Sequence, residues 1–371
     1  MRHPDPGEPP GRGARPLVRA AARMALYPRH VESTKAKLDR LVQYARSHRR
    51  ALVLTHDNPD PDSIAAGVGL AYLLEKSAGV DAVVAFGGIV GRAENRAFIR
   101  VLKLPVVPVS RVAFDDYDLI CMVDTQPEQG NHSLPPRHFP DVVIDHHPER
   151  PDTRFSPIAD VGGPLGATST VVAEYIRASG LEMPPHIATA LFYGIKADTR
   201  DLGRQTTKAD VDAYLWLFRM ADKEALGEIE HPTLPAEYFR LYRTAIDRAL
   251  VFDSTIVCDL GDIYAPDMVA EIAERFMYLD DMRWSLSFGE YEDALYFSLR
   301  TNDRRMNAGR LIREVIEAHG GSAGGHGTMA GARVPVKGLS AAATKRLREE
   351  IVQDFLRAFG IRTRKPRKLA P

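Results

Sequence analysis

The chain has 371 residues, 44% hydrophobic and 26% charged, enough for two domains with sizeable cores. Its 49 Lys and Arg balance 49 Asp and Glu, so a surface coated with positive charge for nucleic acid is excluded, whereas a small anionic ligand held locally is not. No run approaches the roughly 20 apolar residues of a membrane span.

Residues 1–33 open with a stretch rich in Pro, Gly and Arg that lacks the apolar segment of a secretory signal. A disordered extension is predicted there. Between 34 and 48, Leu38, Leu41, Val42 and Ala45 share a helix face. ALVLT (51–55) reads as a buried parallel strand, followed by polar HDNPDPDS and a helix from about Ile64 to Ser77. DAVVAF (81–86) is a second strand and 92–102 a helix. DLICMVDT (118–125) and DVVIDHH (141–147) are further strands, and 167–180 and 186–199 further helices. This alternation predicts an α/β fold with an open, mostly parallel sheet flanked by helices.

Residues 209–250 look continuously helical apart from a break at Pro232 to Pro235, and the last part, 236–250, reads as a linker. A new pattern follows, with strands at 251–260, 282–291 and 294–301 and helices at 267–279 and 307–320. It ends in a glycine-rich loop, a strand at 332–336 and a helix at 340–359. The expectation is a first domain over 34–235, a smaller α+β domain over 251–360 and a solvated basic tail over 361–371. Cys121 and Cys258 lie in separate apolar runs and read as small buried hydrophobes. With no CxxC pair and no leader signal, the expected location is cytoplasmic.

The chemistry gathers at strand ends, where open α/β sheets bind their ligands. His56, Asp124 and Asp145-His146-His147 each follow an apolar strand. In His56-Asp57-Asn58-Pro59-Asp60-Pro61-Asp62, the two prolines stiffen a loop that sets His56, Asp60 and Asp62 at fixed angles. Asp62 and Ser63 could equally cap the following helix. Asp198 ends another helix. Two histidines and four aspartates form an oxygen-rich donor set that suits manganese or magnesium. A pair of such ions needs a shared carboxylate to sit roughly 3.5–4 Å apart.

HDNPDPDS, VDT, DHH and ADT, in that order, resemble the four motifs of the DHH phosphoesterase superfamily. That superfamily includes RecJ-type exonucleases, nano-RNA exonucleases, cyclic-dinucleotide phosphodiesterases and manganese pyrophosphatases. The resemblance covers residues 35–235. SAGGHGTMAGARV (322–334) is similar to the Gly-Gly-His signature of the DHH-associated C-terminal domain, and SLRTNDRRMNAGRLI to its arginine strand and following helix.

The resemblance implies two divalent ions, Mn2+ in first place and Mg2+ as the alternative. One would be held by His56, Asp60 and Asp124, the other by Asp62, Asp124, His146 and Asp198, with Asp124 bridging. His147 would sit near the scissile phosphate, with Asp145 orienting an imidazole. Arg300, Gly324, Gly325 and His326 would meet the substrate's other phosphate or nucleotide end across an interdomain cleft. The implied activity is hydrolysis of a small nucleotide or short single-stranded RNA. It would resemble that of nano-RNA exonucleases or 3′-phosphoadenosine 5′-phosphate phosphatases. A soluble cyclic- or linear-dinucleotide phosphodiesterase and a non-catalytic nucleotide sensor are the rival readings. No membrane partner is expected, and a homodimer is left open.

Overall fold

The computed structural model describes residues 32–303, 305–361 and 365–370. Except for Glu32 and Ser33, the extension expected to be disordered lies outside them. Ser33 belongs to the fold: its hydroxyl accepts the Ala36 N–H at 3.2 Å and caps α1 (Thr34–Ala45).

Six strands form the first sheet: β1 (Arg50–Leu54), β2 (Asp81–Phe86), β3 (Val106–Pro108), β4 (Leu119–Val123), β5 (Val142–Asp145) and β6 (Ile158–Val161). Their order is β3-β2-β1-β4-β5-β6, and every neighbouring pair is parallel. Strand order reverses between β1 and β4, which opens a crevice at their carboxyl ends. β3 and β6 are new relative to the sequence reading, being too short for a pattern to stand out.

The helices of this half are α2 (Pro61–Ala78), α3 (Ala93–Leu102), α4 (Thr168–Ser179), α5 (Pro185–Asp198), α6 (Lys208–Phe218) and α7 (Lys223–Glu230). Alternation along β1 sends Ala51 and Val53 into a deep core shared with α2, α4 and α5. Leu52 and Leu54 face a thinner cover of Val107, Val109, Phe114 and Leu134. The stretch read as one helix from 209 to 231 is two. The first ends at Phe218 with Arg219 as its C-cap, and Asp222 then accepts the N–H groups of Glu224 and Ala225 and starts α7 as its N-cap.

After Pro235, α8 (Ala236–Arg248) connects to the second sheet. Its strands are β7 (Leu250–Phe252), β8 (Thr255–Asp262), β9 (Trp284–Tyr291), β10 (Ala294–Thr301), β11 (Ser322–His326), β12 (Met329–Pro335) and β13 (Arg367–Lys368). The order is β11-β12-β10-β9-β8-β7-β13, with β8 and β9 parallel and the other pairs antiparallel. Helices α9 (Met268–Phe276), α10 (Ala308–Glu317) and α11 (Ala341–Ala358) cover it. Phe288, Phe297, Ile312 and Phe355 form its main core.

Three expectations are corrected here. The glycine-rich loop is an edge strand, β11, in which Gly324 pairs with Gly331 and Gly325 with Ala330. Glycine is required at 325, where φ is +137° and a Cβ would lie 2.5 Å from the Met329 carbonyl oxygen. The basic tail is not wholly solvated either, since Arg367 and Lys368 pair with β7. The linker is also shorter than read, because Leu250 already belongs to β7.

The loop after β1 is set against the loop after β2. Gly87 accepts the Asn58 N–H at 2.9 Å, and Asp57 Oδ1 accepts the Ser133 hydroxyl at 2.7 Å. A Cβ on Gly87 would stand 1.8 Å from Asp57 Oδ1. Gly87→Ala is therefore expected to cost about 2 kcal/mol of stability through overpacking. Urea unfolding checks this, and an unchanged midpoint would contradict it.

Candidate metal centre

The carboxyl ends of β1, β4 and β5 and the end of α5 meet at the strand-order reversal. Asp60 is the N-cap of α2, its Oδ1 accepting the Ser63 N–H at 3.0 Å, while Pro61 takes the first helical position, where a missing N–H costs nothing. Asp62 does not cap its own helix. Its two oxygens accept the N–H groups of Thr168, at 2.7 Å, and Ser169, at 2.8 Å, from the start of α4. Helix α4 needs that service because Ala167, at its N-cap, has no side-chain acceptor. Asp124 sits past β4 with φ +57°, a left-handed conformation that aspartate tolerates better than most residues. Its Oδ1 accepts the Thr168 hydroxyl at 2.9 Å.

Main-chain carbonyls aim the imidazoles. His56 Nδ1 lies 3.0 Å from the Asp57 carbonyl and His146 Nδ1 3.1 Å from that of Leu165. With Nδ1–H donating, each Nε2 is left with its lone pair toward the crevice. His56 Nε2 stands 3.5 Å from Asp124 Oδ2 and 3.6 Å from Asp60 Oδ1. His146 Nε2 stands 3.6 Å from Asp124 Oδ1 and 3.4 Å from Asp198 Oδ2. The two oxygens of Asp124 thus face different imidazoles. His147 turns its Nδ1 to Asp145 Oδ1 at 2.8 Å, and Asp145 Oδ2 accepts from the Gln126 amide at 2.7 Å.

The charges strain against one another. Burial, then the negative charges of Asp124, Asp198 and Asp60, push the Asp62 carboxyl well above its usual range. Burial, with Asp60 and Asp124, pushes Asp198 up to about 6. Burial would also raise Asp60, but the hydrogen bond and charge of His56 and the Ser63 N–H hold it below the carboxylate range. His56 is raised well above an ordinary imidazole because Asp124 and Asp60 outweigh burial. His147 is raised to about 9, its bond to Asp145 again outweighing burial.

Donor atoms of His56, Asp60 and Asp124 lie within 4.8 Å of one another, as do those of Asp62, His146 and Asp198. Asp124, Asp145, His146 and His147 form a third such group, though Asp145 is engaged with His147 and Gln126. An excess of carboxylate with aimed imidazole lone pairs fits divalent cations, whose charge would relieve the repulsion. All six candidate ligands are brought together. Arg300 lies on β10 and donates to the carbonyls of Leu299, at 3.1 Å, and Ala330, at 3.3 Å. The backbones of Arg300, Met329 and His326 form one cross-strand row, with Gly324 and Gly325 along β11.

Sequence reasoning missed the supporting groups. Asp210 is buried and accepts from Gly166 N–H, Thr170 Oγ1, Thr207 N–H and Thr207 Oγ1. It thereby fixes the segment whose Leu165 carbonyl aims His146. Its signal was the capping-box spacing Thr207-x-x-Asp210. Gln126 had no signal beyond following the VDT motif, and Thr168 had none.

Residues 50–195 match the model of the DHH family N-terminal domain, and residues 253–354 match the DHHA1 domain. The chain belongs to the DHH family. Members of the DHH family are metal-dependent phosphoester hydrolases. An uncharacterized protein of Methanocaldococcus jannaschii is 33% identical over 83% of this chain and 62% of its own length. A probable manganese-dependent inorganic pyrophosphatase of Lactiplantibacillus plantarum is 28% identical over 47% of this chain and 56% of its own length. The DHH chain thus spans less than two thirds of these curated relatives. The crystal structure of an exopolyphosphatase-related protein from Bacteroides fragilis shares the fold, with a TM-score of 0.70 and 16% identity over 90% of this chain and 100% of that one. Among the described residues, no helix of the DHH protein is long and apolar enough to cross a membrane.

Two outcomes follow from the centre. A cation must displace the protons of Asp198, at about 6, and of the raised His56, so Mn2+ affinity falls as the pH drops through that range. Calorimetric titration between about pH 7.5 and pH 5 should show a loss exceeding about tenfold, and a flat profile would count against the assigned protonation. Asp210→Ala strands four donors, so it should cost about 3 kcal/mol in urea unfolding and weaken Mn2+ binding about tenfold. Retained Mn2+ affinity would show that Asp210 does not position His146.

Proposed function

We propose that this DHH protein is a two-metal phosphoesterase that hydrolyses short oligonucleotides or small nucleotides, as a nano-RNA 3′–5′ exonuclease or a 3′-phosphoadenosine 5′-phosphate phosphatase. The observation that carries the reading is the posture of Asp124. Its Oδ2 faces His56 and its Oδ1 faces His146, at 3.5 and 3.6 Å, so one carboxylate serves two ligand sets. His56 and Asp60 complete the first set, and Asp62, His146 and Asp198 the second. Manganese is the preferred ion on the oxygen-rich donor set and on the manganese dependence of the similar probable pyrophosphatase of Lactiplantibacillus plantarum.

When bound, two such ions lower the pKa of a water and act as Lewis acids on phosphoryl oxygens. The chain's own groups do the rest. His147, its ring oriented by Asp145, offers a cationic imidazole to the phosphoryl group or the leaving oxygen. Thr168 holds Asp124, which the two ions would share, in place by donating to its Oδ1. Arg300 and the Gly324-Gly325-His326 strand bind the far end of the substrate. Those elements of the DHHA1 domain favour a nucleotide over pyrophosphate, because pyrophosphate has no distal end for them to hold.

The test is a panel of pApA, a short RNA, 3′-phosphoadenosine 5′-phosphate, cyclic-di-AMP and pyrophosphate, each with the Mn2+-loaded protein. Turnover of pApA, short RNA or 3′-phosphoadenosine 5′-phosphate is expected. Asp124→Asn should lower that turnover by about a hundredfold or more. Wild-type rates in that variant would refute the bridge, and no turnover of any compound would leave a nucleotide sensor as the better reading.

A further inference from the structure

Helix α9 is where the second domain meets the first. The main-chain N–H of Arg92 donates to Asp267 Oδ2, at the start of α9. The Arg92 guanidinium donates to Glu274 Oε2 at 2.7 Å, in the last turn of the helix. Arg200 Nη2 lies 3.7 Å from the other oxygen of Glu274. These arginines come from separate places, Arg92 from the loop before α3 and Arg200 two residues beyond Asp198. Burial would raise the Glu274 carboxyl, yet Arg92, Arg300 and Arg200 hold it below its usual range. Arg300 itself donates only to main-chain carbonyls and forms no ion pair among the described residues.

One carboxylate therefore pairs with two guanidinium groups, with Arg300 of the neighbouring strand β10 near enough for its charge to act on it, beside the segment that carries Asp198. We propose that Glu274 occupies an anion subsite built by Arg92, Arg200 and Arg300, and that it is an internal competitor which a terminal phosphate of the substrate must displace. The proposal takes its substrate from the phosphoesterase reading above; the competition itself stands on the arginines. A phosphate dianion balances three arginines better than one carboxylate and offers more acceptors to their planar forks. Glu274 is not the sole contact between these segments. Asp267 grips Arg92 through the main chain, and its Cβ would lie 2.7 Å from a Cβ on Gly91, so the two segments are already in close contact. On the other side, Tyr238 of α8 donates to Glu271.

The experiment is calorimetric titration of the full-length, Mn2+-loaded protein with inorganic sulfate, a dianion that binds such ions weakly. Glu274→Gln should bind sulfate about tenfold tighter than wild type, since the competing charge is gone while the side-chain shape is kept. Glu274→Gln combined with Arg300→Gln should lose that gain. If Glu274→Gln does not fold by circular dichroism, Glu274→Asp substitutes for it. Its retracted carboxylate should tighten sulfate about threefold. Unchanged sulfate binding would overturn the proposal, and so would weaker binding, which would mark Glu274 as a clasp between the domains. Tighter sulfate binding together with no turnover of any compound in the panel above would leave the competition standing and sink the phosphoesterase reading instead.

Discussion

Four carboxylates crowded into one crevice repel one another, and much of the first domain is arranged to tolerate that repulsion. Asp60, Asp62, Asp124 and Asp198 come from three segments that the parallel sheet delivers to the same edge. Water cannot screen the buried members of the set. The fold answers with fixed dipoles: α4 turns its first N–H groups on Asp62, α2 begins on Asp60, and Thr168 holds Asp124. What these dipoles leave uncompensated is the negative charge that makes the site receptive to cations.

Much of this could be read along the chain. The strands ending in His56, Asp124 and Asp145 were visible because buried parallel strands are apolar runs, and their polar ends stand out against them. The edge where they converge followed from strand and helix alternation. The placement of Asp62 was not legible. Capping is a local rule when read from sequence, but Asp62 caps a helix 106 residues on. The aim of His146 was equally hidden, because it depends on the carbonyl of Leu165, which Asp210 fixes in turn. Long-range partners of this kind are set by packing rather than by spacing.

The second domain shows the limit from another direction. Gly324 and Gly325 look like a loop because glycine weakens isolated strands. They extend as β11 because β12 lies alongside and admits no side chain at Gly325. The domain brings a row of backbone and one guanidinium, and α9 brings the acidic face that meets the first domain. The candidate metal ligands and the expected substrate contacts thus belong to separate sheets, joined by α8 and by the contacts of α9.

The pairing of β13 with β7 bears on how the molecule can be handled. Leu369 donates its N–H to the Ala249 carbonyl at 3.0 Å, the residue at which α8 gives way to β7. The segment carrying β13 is therefore stitched to the point where α8 runs into the second sheet. It also shields the outer rim of the seven-stranded sheet, whose unpaired backbone groups would otherwise invite another chain to add a strand. Trimming these residues, or fusing an affinity tag close behind them, removes the contacts at the junction of α8 and β7 and bares an adhesive rim.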